Sequence, residues 1–342
     1  MSLAPAVSVT LGNLRYDTQA SAARVTLALL PRGGSAQIAF PAAVRFEAAA
    51  GDKAVVSIDG GEGAETVLTG KVIRVCRTFA AITVAVADGA SDLAAYRPSA
   101  TFEGQDAGAI VNKLAADAAV SAGAVDIDLD LAAYVAAPSR SAAEHIAHVA
   151  MLAGGIAYTD GDGSLNVKTR PSGPPDLALK YGREVAQYEV LSGAAVNPQQ
   201  FAMGFGPAGS GGAPDALRPS VGALPDAAAD GGVGVFRLPV PELRVPSAAA
   251  SASASMQTQA AARALRLEAR CFLQAKVRPG MVIEVQSLPD GLTSGPWLVT
   301  RVEHALERGA GQTSLWAEKA DAAPSLLGGL LGAAAGAIGA LL

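Results

Sequence analysis

Thr101-FEGQDAGAIVNKLAADAAVSAGAVDIDLDLAAYVAAPSRSAAEHIAHVAMLAGGIAYTDGDGSLNVKT-Arg170 reads as a compact α/β unit, and the chain on either side of it reads as β-structure with no helix of comparable strength. Ile110, Val111, Leu114 and Ala118 recur at helical spacing, and Gly123 closes the run with a residue free to adopt positive φ. Val125-Asp126-Ile127-Asp128-Leu129-Asp130-Leu131 alternates with the period of a half-buried strand. Ser141-Ala142-Ala143-Glu144 supplies a capping box, and Ile146, Val149, Ala150 and Ala153 form the apolar stripe of a second helix, ended by Gly154-Gly155. Ile156 to Thr169 completes the unit as a hairpin turning at Asp160-Gly161-Asp162-Gly163.

Toward the N-terminus the pattern is all β. Val7, Val9 and Leu11 alternate with Ser8 and Thr10 before a Gly12-Asn13 turn. Arg24–Leu30 and Val44–Glu47 are further strand candidates, with Pro31 and Pro41 in the gaps, where a missing N–H does no harm. Ala54–Ile58, Thr66–Cys76 and Phe79–Ala87 follow, so residues 1–95 predict an antiparallel barrel or sandwich without a helix.

Toward the C-terminus, Arg170 to Pro175 is a linker, and residues 175–320 predict a second β-unit with long loops. Val185–Leu191 and Gln199–Phe205 are strand candidates. Gly209–Gly232, mostly Gly, Pro, Ala and Asp with almost no large apolar residue, predicts a long mobile loop or a segment ordered only by partners, and Pro246–Ser255 a second such stretch, rich in Ala and Ser. Gln257–Cys271 reads as a helix with Ala260, Ala264, Leu267 and Cys271 on one face and Arg263, Arg266 and Arg270 elsewhere. Met281–Gln286, Trp297–His304 and Gln312–Glu318 are three strands around turns at Ser294-Gly295-Pro296 and Glu307–Gly311.

Residues 321–342 form an apolar Gly/Ala/Leu tail, uncharged from Ser325 onward. Gly328, Gly332 and Gly336 recur every four residues, with Leu331 among the leucines on the opposing side of a helix. A bare helical face of this kind lets backbones approach closely, so these four residues are the candidate oligomer or lumen contacts. The run falls slightly short of the roughly 20 apolar residues that span a bilayer.

The totals bound the function. A chain of 342 residues has room for two or three domains. A formal net charge of -5 with 17% charged residues argues against a protein devoted to holding phosphates. Cys76 and Cys271 lie far apart within apolar runs and predict buried free thiols. Met1-Ser2-Leu3-Ala4-Pro5 lacks the basic and apolar regions of a signal peptide.

Three passages carry a resemblance. Gly51-Asp52-Lys53 through Ile58 leads on to Leu68-Thr69-Gly70-Lys71-Val72; Phe102-Glu103-Gly104-Gln105 is followed by Tyr134 and the Ser141–Gly155 helix. The third is the arginine-bearing helix over Gln257–Cys271, followed by Arg278-Pro279-Gly280-Met281-Val282-Ile283-Glu284-Val285, Gly295-Pro296-Trp297-Leu298-Val299, Arg301-Val302-Glu303-His304 and Gln312-Thr313. Their order over residues 1–320 resembles the hub proteins of bacteriophage tails and contractile injection systems, including the late control protein D family and the hub part of type VI spike proteins. The resemblance implies a mainly β chain in which two tube-like antiparallel β-barrel domains flank the α/β insert of residues 101–170. It implies a non-enzymatic, cofactor-free homotrimer in the baseplate of a virion tail or injection particle, assembled in the bacterial cytoplasm. The implied partners are the tail tube, a spike or tip protein, the tape-measure protein and baseplate wedge components, with nucleic acid only in transit and a membrane reachable through the tail. No spike barrel or β-helix repeat follows residue 320. The competing reading is an Ala-rich binding or hydrolytic module with a membrane-directed C-terminus.

The motifs that invite chemistry are weak. His145 and His148 beside Glu144 lack the four-residue histidine spacing of a zinc protease. Asp160, Asp162 and Asn166 would need a glutamate where Pro171 stands to make a calcium loop. Gly204 to Gly212 lacks the lysine-serine/threonine pair of a phosphate loop, and His304 has no nucleophile in an elbow motif. Asp126, Asp128 and Asp130 project to one face as an acidic rim or a solvated surface.

Overall fold

Alternation builds the first strands. β1 (Ala6–Leu11) buries Val7, Val9 and Leu11, and after β2 (Leu14–Tyr16) the same period runs through β3 (Ala22–Ala28), β4 (Ser35–Pro41) and β5 (Lys53–Asp59). β6 (Ala64–Arg77) and β7 (Ala81–Asp88) complete the unit, and α1 (Gly89–Ala95) leaves β7 under the side-chain cap of Asp88. The computed structural model describes residues 5–193, 199–204, 220–221, 235–244, 246–289, 295–307 and 309–321. Two expectations fail in this unit. Val44–Glu47 is not a strand: Phe46 is buried from an irregular segment, where its ring joins Tyr16 at 5.7 Å and Phe40 at 5.5 Å. The strand that follows β3 is β4 instead, which takes in Pro41 as its last residue rather than leaving it in a gap, and α1 supplies a helix that its short length hides from periodicity.

The insert follows as β8 (Ala100–Asp106), α2 (Ala107–Asp117), β9 (Ala122–Asp126), β10 (Asp130–Ala136), α3 (Ala142–Leu152), β11 (Gly155–Thr159) and β12 (Leu165–Thr169). The predicted capping box is present at Ser141 and Glu144. The left-handed residue after α2 is Ala119, at φ 57°, and not Gly123, which lies in β9 against Asn166. The predicted strand over 125–131 divides: β9 pairs parallel to β12, and β10 pairs antiparallel to β8 in another sheet. The burial alternation survives the break, with Ile127, Leu129 and Leu131 inside and Asp126, Asp128 and Asp130 exposed.

The remainder comprises β13 (Leu177–Lys180), β14 (Val185–Ser192), β15 (Gln199–Gly204), β16 (Ser220–Val221), β17 (Val235–Pro239), α4 (Pro246–Arg263), β18 (Leu265–Phe272), β19 (Val282–Gln286), β20 (Trp297–Glu307) and β21 (Ala310–Lys319). Pro246–Ser255 is therefore helix rather than loop. Proline suits a first helical position, alanine is the best helix former, and Ala248, Ala249 and Ala252 are buried in the core of the insert. The expected helix over Gln257–Cys271 ends at Arg263. Residues 264, 267 and 271 fit a helical spacing, but Leu267, Ala269 and Cys271 are buried while Arg266, Glu268 and Arg270 are exposed, the period of a strand. Cys271 is buried as expected, whereas Cys76 is exposed, and neither is in a disulfide. The loop over Gly209–Gly232 lies outside the described residues except Ser220–Val221, and the apolar segment beyond Asp321 lies outside them altogether.

Among the described residues thirteen strands share one sheet, in the order β14-β18-β21-β20-β3-β4-β7-β6-β5-β1-β2, with β19 branching from β20 and pairing parallel to β13. The seam is the antiparallel ladder between β20 and β3, which registers Arg301 with Ala28 and Glu307 with Ala22. On either side of the seam the sheet covers a separate core. One contains Phe40, Ile38, Ile58 and Leu68, the other Trp297, Ile283, Val302 and Leu315. A third core is centred on the insert and takes in Leu30, Ala90 and Leu93 from the N-terminal unit, Val240 and Leu243 ahead of α4, and the buried alanines of α4.

Candidate assembly surfaces

Three polar clamps fix the insert against both β-units. Arg278 Nη1 donates to Asp160 Oδ1 at 2.7 Å, and its Nη2 donates to the Thr66 carbonyl at 3.0 Å, so one guanidinium ties the 277–281 turn to the insert hairpin and to β6. Thr69 Oγ1 donates to the Gly161 carbonyl beside it at 2.7 Å. Gly161 is required here, because a Cβ would stand 2.3 Å from the Thr66 carbonyl. At the far end of the insert Arg170 Nη1 reaches Glu318 Oε1 at 2.7 Å, with both side chains largely withdrawn from water. The third clamp is Asp88, which accepts hydrogen bonds from Gly34 N, Ala90 N and Thr159 Oγ1. Burial pushes its carboxyl above the usual aspartate range, and those hydrogen bonds oppose the shift.

One face of the large sheet is polar over β14, β18, β21, β20, β3 and β4. A single cross-strand row passes through Gln187, Arg270, Ser314, Glu303, Thr26 and Ser35, and continues to Ala87 and Lys71 on β7 and β6. Its charges are interleaved. Arg24 and Arg301 approach Glu303 at 3.6 and 3.4 Å, and the Arg301 guanidinium stacks 4.4 Å above the Trp316 ring. Glu189, Glu268, Arg270, Arg301, Glu303 and Trp316 line a shallow depression of ≈ 520 Å³ on this face.

The residues singled out in the sequence are placed as follows. His145 is structural: its Nε2–H donates to the Ala137 carbonyl at 3.0 Å, and its Nδ1 accepts from the Tyr134 hydroxyl at 2.8 Å. Burial lowers the His145 pKa and raises that of Tyr134. Glu144 is engaged by the Ser141 backbone and hydroxyl, which hold its carboxyl below the ordinary value. His148 lies 3.8 Å from Glu242 instead of sharing a ligand set with His145. Asp162 binds Ser164, Asn166 Oδ1 accepts from Ala124 N, and Asp160 faces Arg278, so the three do not converge. Among the described residues no group of three His, Cys, Asp or Glu side chains is placed to hold a metal. His304 is buried against Thr313 Oγ1 at 3.0 Å. Arg263 is on α4, whereas Arg266 and Arg270 are on the exposed side of β18. Gly328, Leu331, Gly332 and Gly336 lie outside the described residues, as do Phe205 to Gly212. No helix among the described residues is long and apolar enough to cross a membrane.

Arg278, Asp88 and Arg170 were not singled out as site residues from the sequence. Arg278 alone left a signal, standing before the Pro279-Gly280 turn within the third of the resembling passages.

No protein-family model matches the chain, and no curated protein matches it by sequence. Solved structures do match. The 43 kDa tail protein of prophage MuSo2 from Shewanella oneidensis has a TM-score of 0.69 at 14% identity, covering 93% of this chain and 99% of that one. A tail protein from Neisseria meningitidis MC58 has a TM-score of 0.71 at 17% identity, covering 94% and 98%. The E. coli c3393 protein, described as a type VI secretion component similar to the T4 tail proteins gp27 and gp5, has a TM-score of 0.59 at 11% identity, covering 91% and 76%. The chain thus has the mainly antiparallel β fold of these tail and secretion proteins.

Proposed function

We propose that the chain is a non-enzymatic structural hub of a phage tail or related contractile injection apparatus. In this reading residues 1–95 and 175–320 act as two tube-like β-units, and a homotrimer presents six of them to the tail tube while remaining threefold toward the spike. The observation that carries the reading is the β20–β3 ladder. It gives two units with separate cores one common sheet, whose polar face is suited to line a channel. The likeness in fold to tail proteins and to a type VI component supports the same assignment to a particle of this kind.

Further partners follow from the reading: tail tube, spike or tip, tape-measure protein and baseplate wedge, with nucleic acid only in transit. The segment from Ser325 onward would pack near the threefold axis through Gly328, Gly332, Gly336 and Leu331, with a membrane as its other partner at ejection. Light scattering on the purified chain, with and without its tube and spike proteins, tests the proposal. A trimer that electron microscopy shows as a ring with an open centre is expected. A stable monomer that binds neither tube nor spike protein overturns it and favours the binding-module reading.

A further inference from the structure

A second depression adjoins that on the sheet face through Glu268, Arg301 and Trp316 and extends beyond it toward the insert. A cleft runs between α3 and β11 of the insert, the end of α4, and the exposed side of β18, β20 and β21, in two lobes of ≈ 410 and ≈ 560 Å³ that share Leu29, Leu30, Pro31, Arg263 and Glu318. Its apolar lining comes from Leu29, Leu30, Pro31, Met151 and Ile156. Six arginines border it, at 32, 140, 170, 263, 266 and 301, against three glutamates, at 144, 268 and 318.

This is a basic island on a chain of net charge -5, and its cations are under-neutralised. Glu318 is taken by Arg170 at 2.7 Å and reaches Arg263 only at 4.0 Å, and Glu144 is spent on the cap of α3. Among the described residues Arg32, Arg140 and Arg266 have no ion-pair partner. Guanidinium groups present paired donors that match carboxylates, and apolar area beside them holds the side chains between those carboxylates. The apolar floor favours a peptide, whose side chains can cover it, over a phosphate group, which offers nothing to bury there.

We infer that this cleft docks an acidic peptide segment of a partner polypeptide, with carboxylates on Arg32, Arg140 and Arg266 and apolar side chains on the Leu29–Ile156 floor. The experiment uses the full chain and a fluorescein-labelled peptide of about twelve residues that alternates Asp with Leu and Ser. The variant Arg32→Glu/Arg140→Glu changes two exposed, unpaired side chains. The control Arg15→Glu/Arg45→Glu shifts net charge equally at arginines outside the cleft. Polarisation is expected to show salt-sensitive binding, roughly tenfold weaker in the cleft variant, which corresponds to about 1.4 kcal/mol, and unchanged in the control. Thermal melts check that both variants remain folded.

Absence of probe binding at low salt, or equal weakening in both variants, overturns the proposal. So does a single-stranded oligonucleotide that displaces the probe at lower concentration, since the cleft would then be a phosphate site. A synthetic copy of residues 223–234, which carries Asp226 and Asp230, would overturn the partner by outcompeting the probe and would give the cleft to the chain's own segment. None of these outcomes depends on the oligomeric state, so the docking surface and the hub reading fail separately.

Discussion

The Arg278 guanidinium stands 2.7 Å from the Asp160 carboxylate, although 118 positions separate the two residues. The contact brings the turn before β19 onto the hairpin of the insert, while the other end of the guanidinium is held by the Thr66 carbonyl. Arg278→Met is expected to cost about 2 kcal/mol, the range for charge-assisted hydrogen bonds that are partly open to water. Asp160→Asn should cost less, and a double-mutant cycle should show coupling of about 1 kcal/mol. Chemical denaturation measures the cycle. Additive losses would mean that the two side chains do not communicate.

Gly34 and Asp88 are fitted to one another. Gly34 N donates to Asp88 Oδ2 at 2.7 Å, and a Cβ on Gly34 would meet that oxygen at 2.5 Å. Gly34→Ala should therefore displace the carboxylate that caps α1 and binds Thr159, at a cost of about 2 kcal/mol. Gly173→Ala, where no atom lies within 4 Å, should stay within about 0.5 kcal/mol of wild type. Equal melting temperatures for the two variants would refute this.

His304 gives the fold a pH dependence of known sign. Burial depresses its pKa to about 4, with the Val277 backbone working in the opposite direction. The folded state therefore keeps the ring neutral where the unfolded chain protonates it. Its stability contribution is complete above the ordinary histidine value of about 6.5 and is lost as pH falls toward the folded value. The loss should reach on the order of 3 kcal/mol. His304→Leu should flatten this region of the profile in urea melts between those pH values, even if it lowers stability overall. An unchanged slope would place the titration elsewhere.

The mixed charge of the sheet face predicts weak contact with nucleic acid. The wild-type chain should bind duplex DNA poorly and with a shallow salt dependence. Glu268→Lys/Glu303→Lys should bind more tightly, with a log–log salt slope steeper by about two. Fluorescence anisotropy across a salt series reads both quantities. Identical slopes would mean that these two positions do not meet DNA.

The legible regions of the fold were those in which local period and burial coincide. β1 and the Ser141 capping box were readable because each is decided within a few residues. β18 was not, because Leu267 and Cys271 satisfy a helical spacing as well as an alternating one, and only the exposure of Arg266, Glu268 and Arg270 separates them. α4 was hidden by its serines and alanines, which give no apolar stripe wide enough to see. The seam was out of reach of local reading altogether. Nothing near Ala22 announces Glu307 as its neighbour, and the same distance in sequence hid Arg278 from Asp160. The predicted tail contacts Gly328, Leu331, Gly332 and Gly336 remain a sequence expectation, and the cleft arginines come from five separated places in the chain.

The β20–β3 ladder also has a mechanical meaning. Seven consecutive residue pairs, from Arg301 and Ala28 to Glu307 and Ala22, join the two β-units, and the backbone bond from Leu29 N to the Thr300 carbonyl prolongs the line by one rung. Under tension along the strands these rungs share the load and must slide together. Under tension across the strands they open in succession, each bearing the whole force in its turn. The joint is therefore stiffest against a pull along the strands and weakest against peeling.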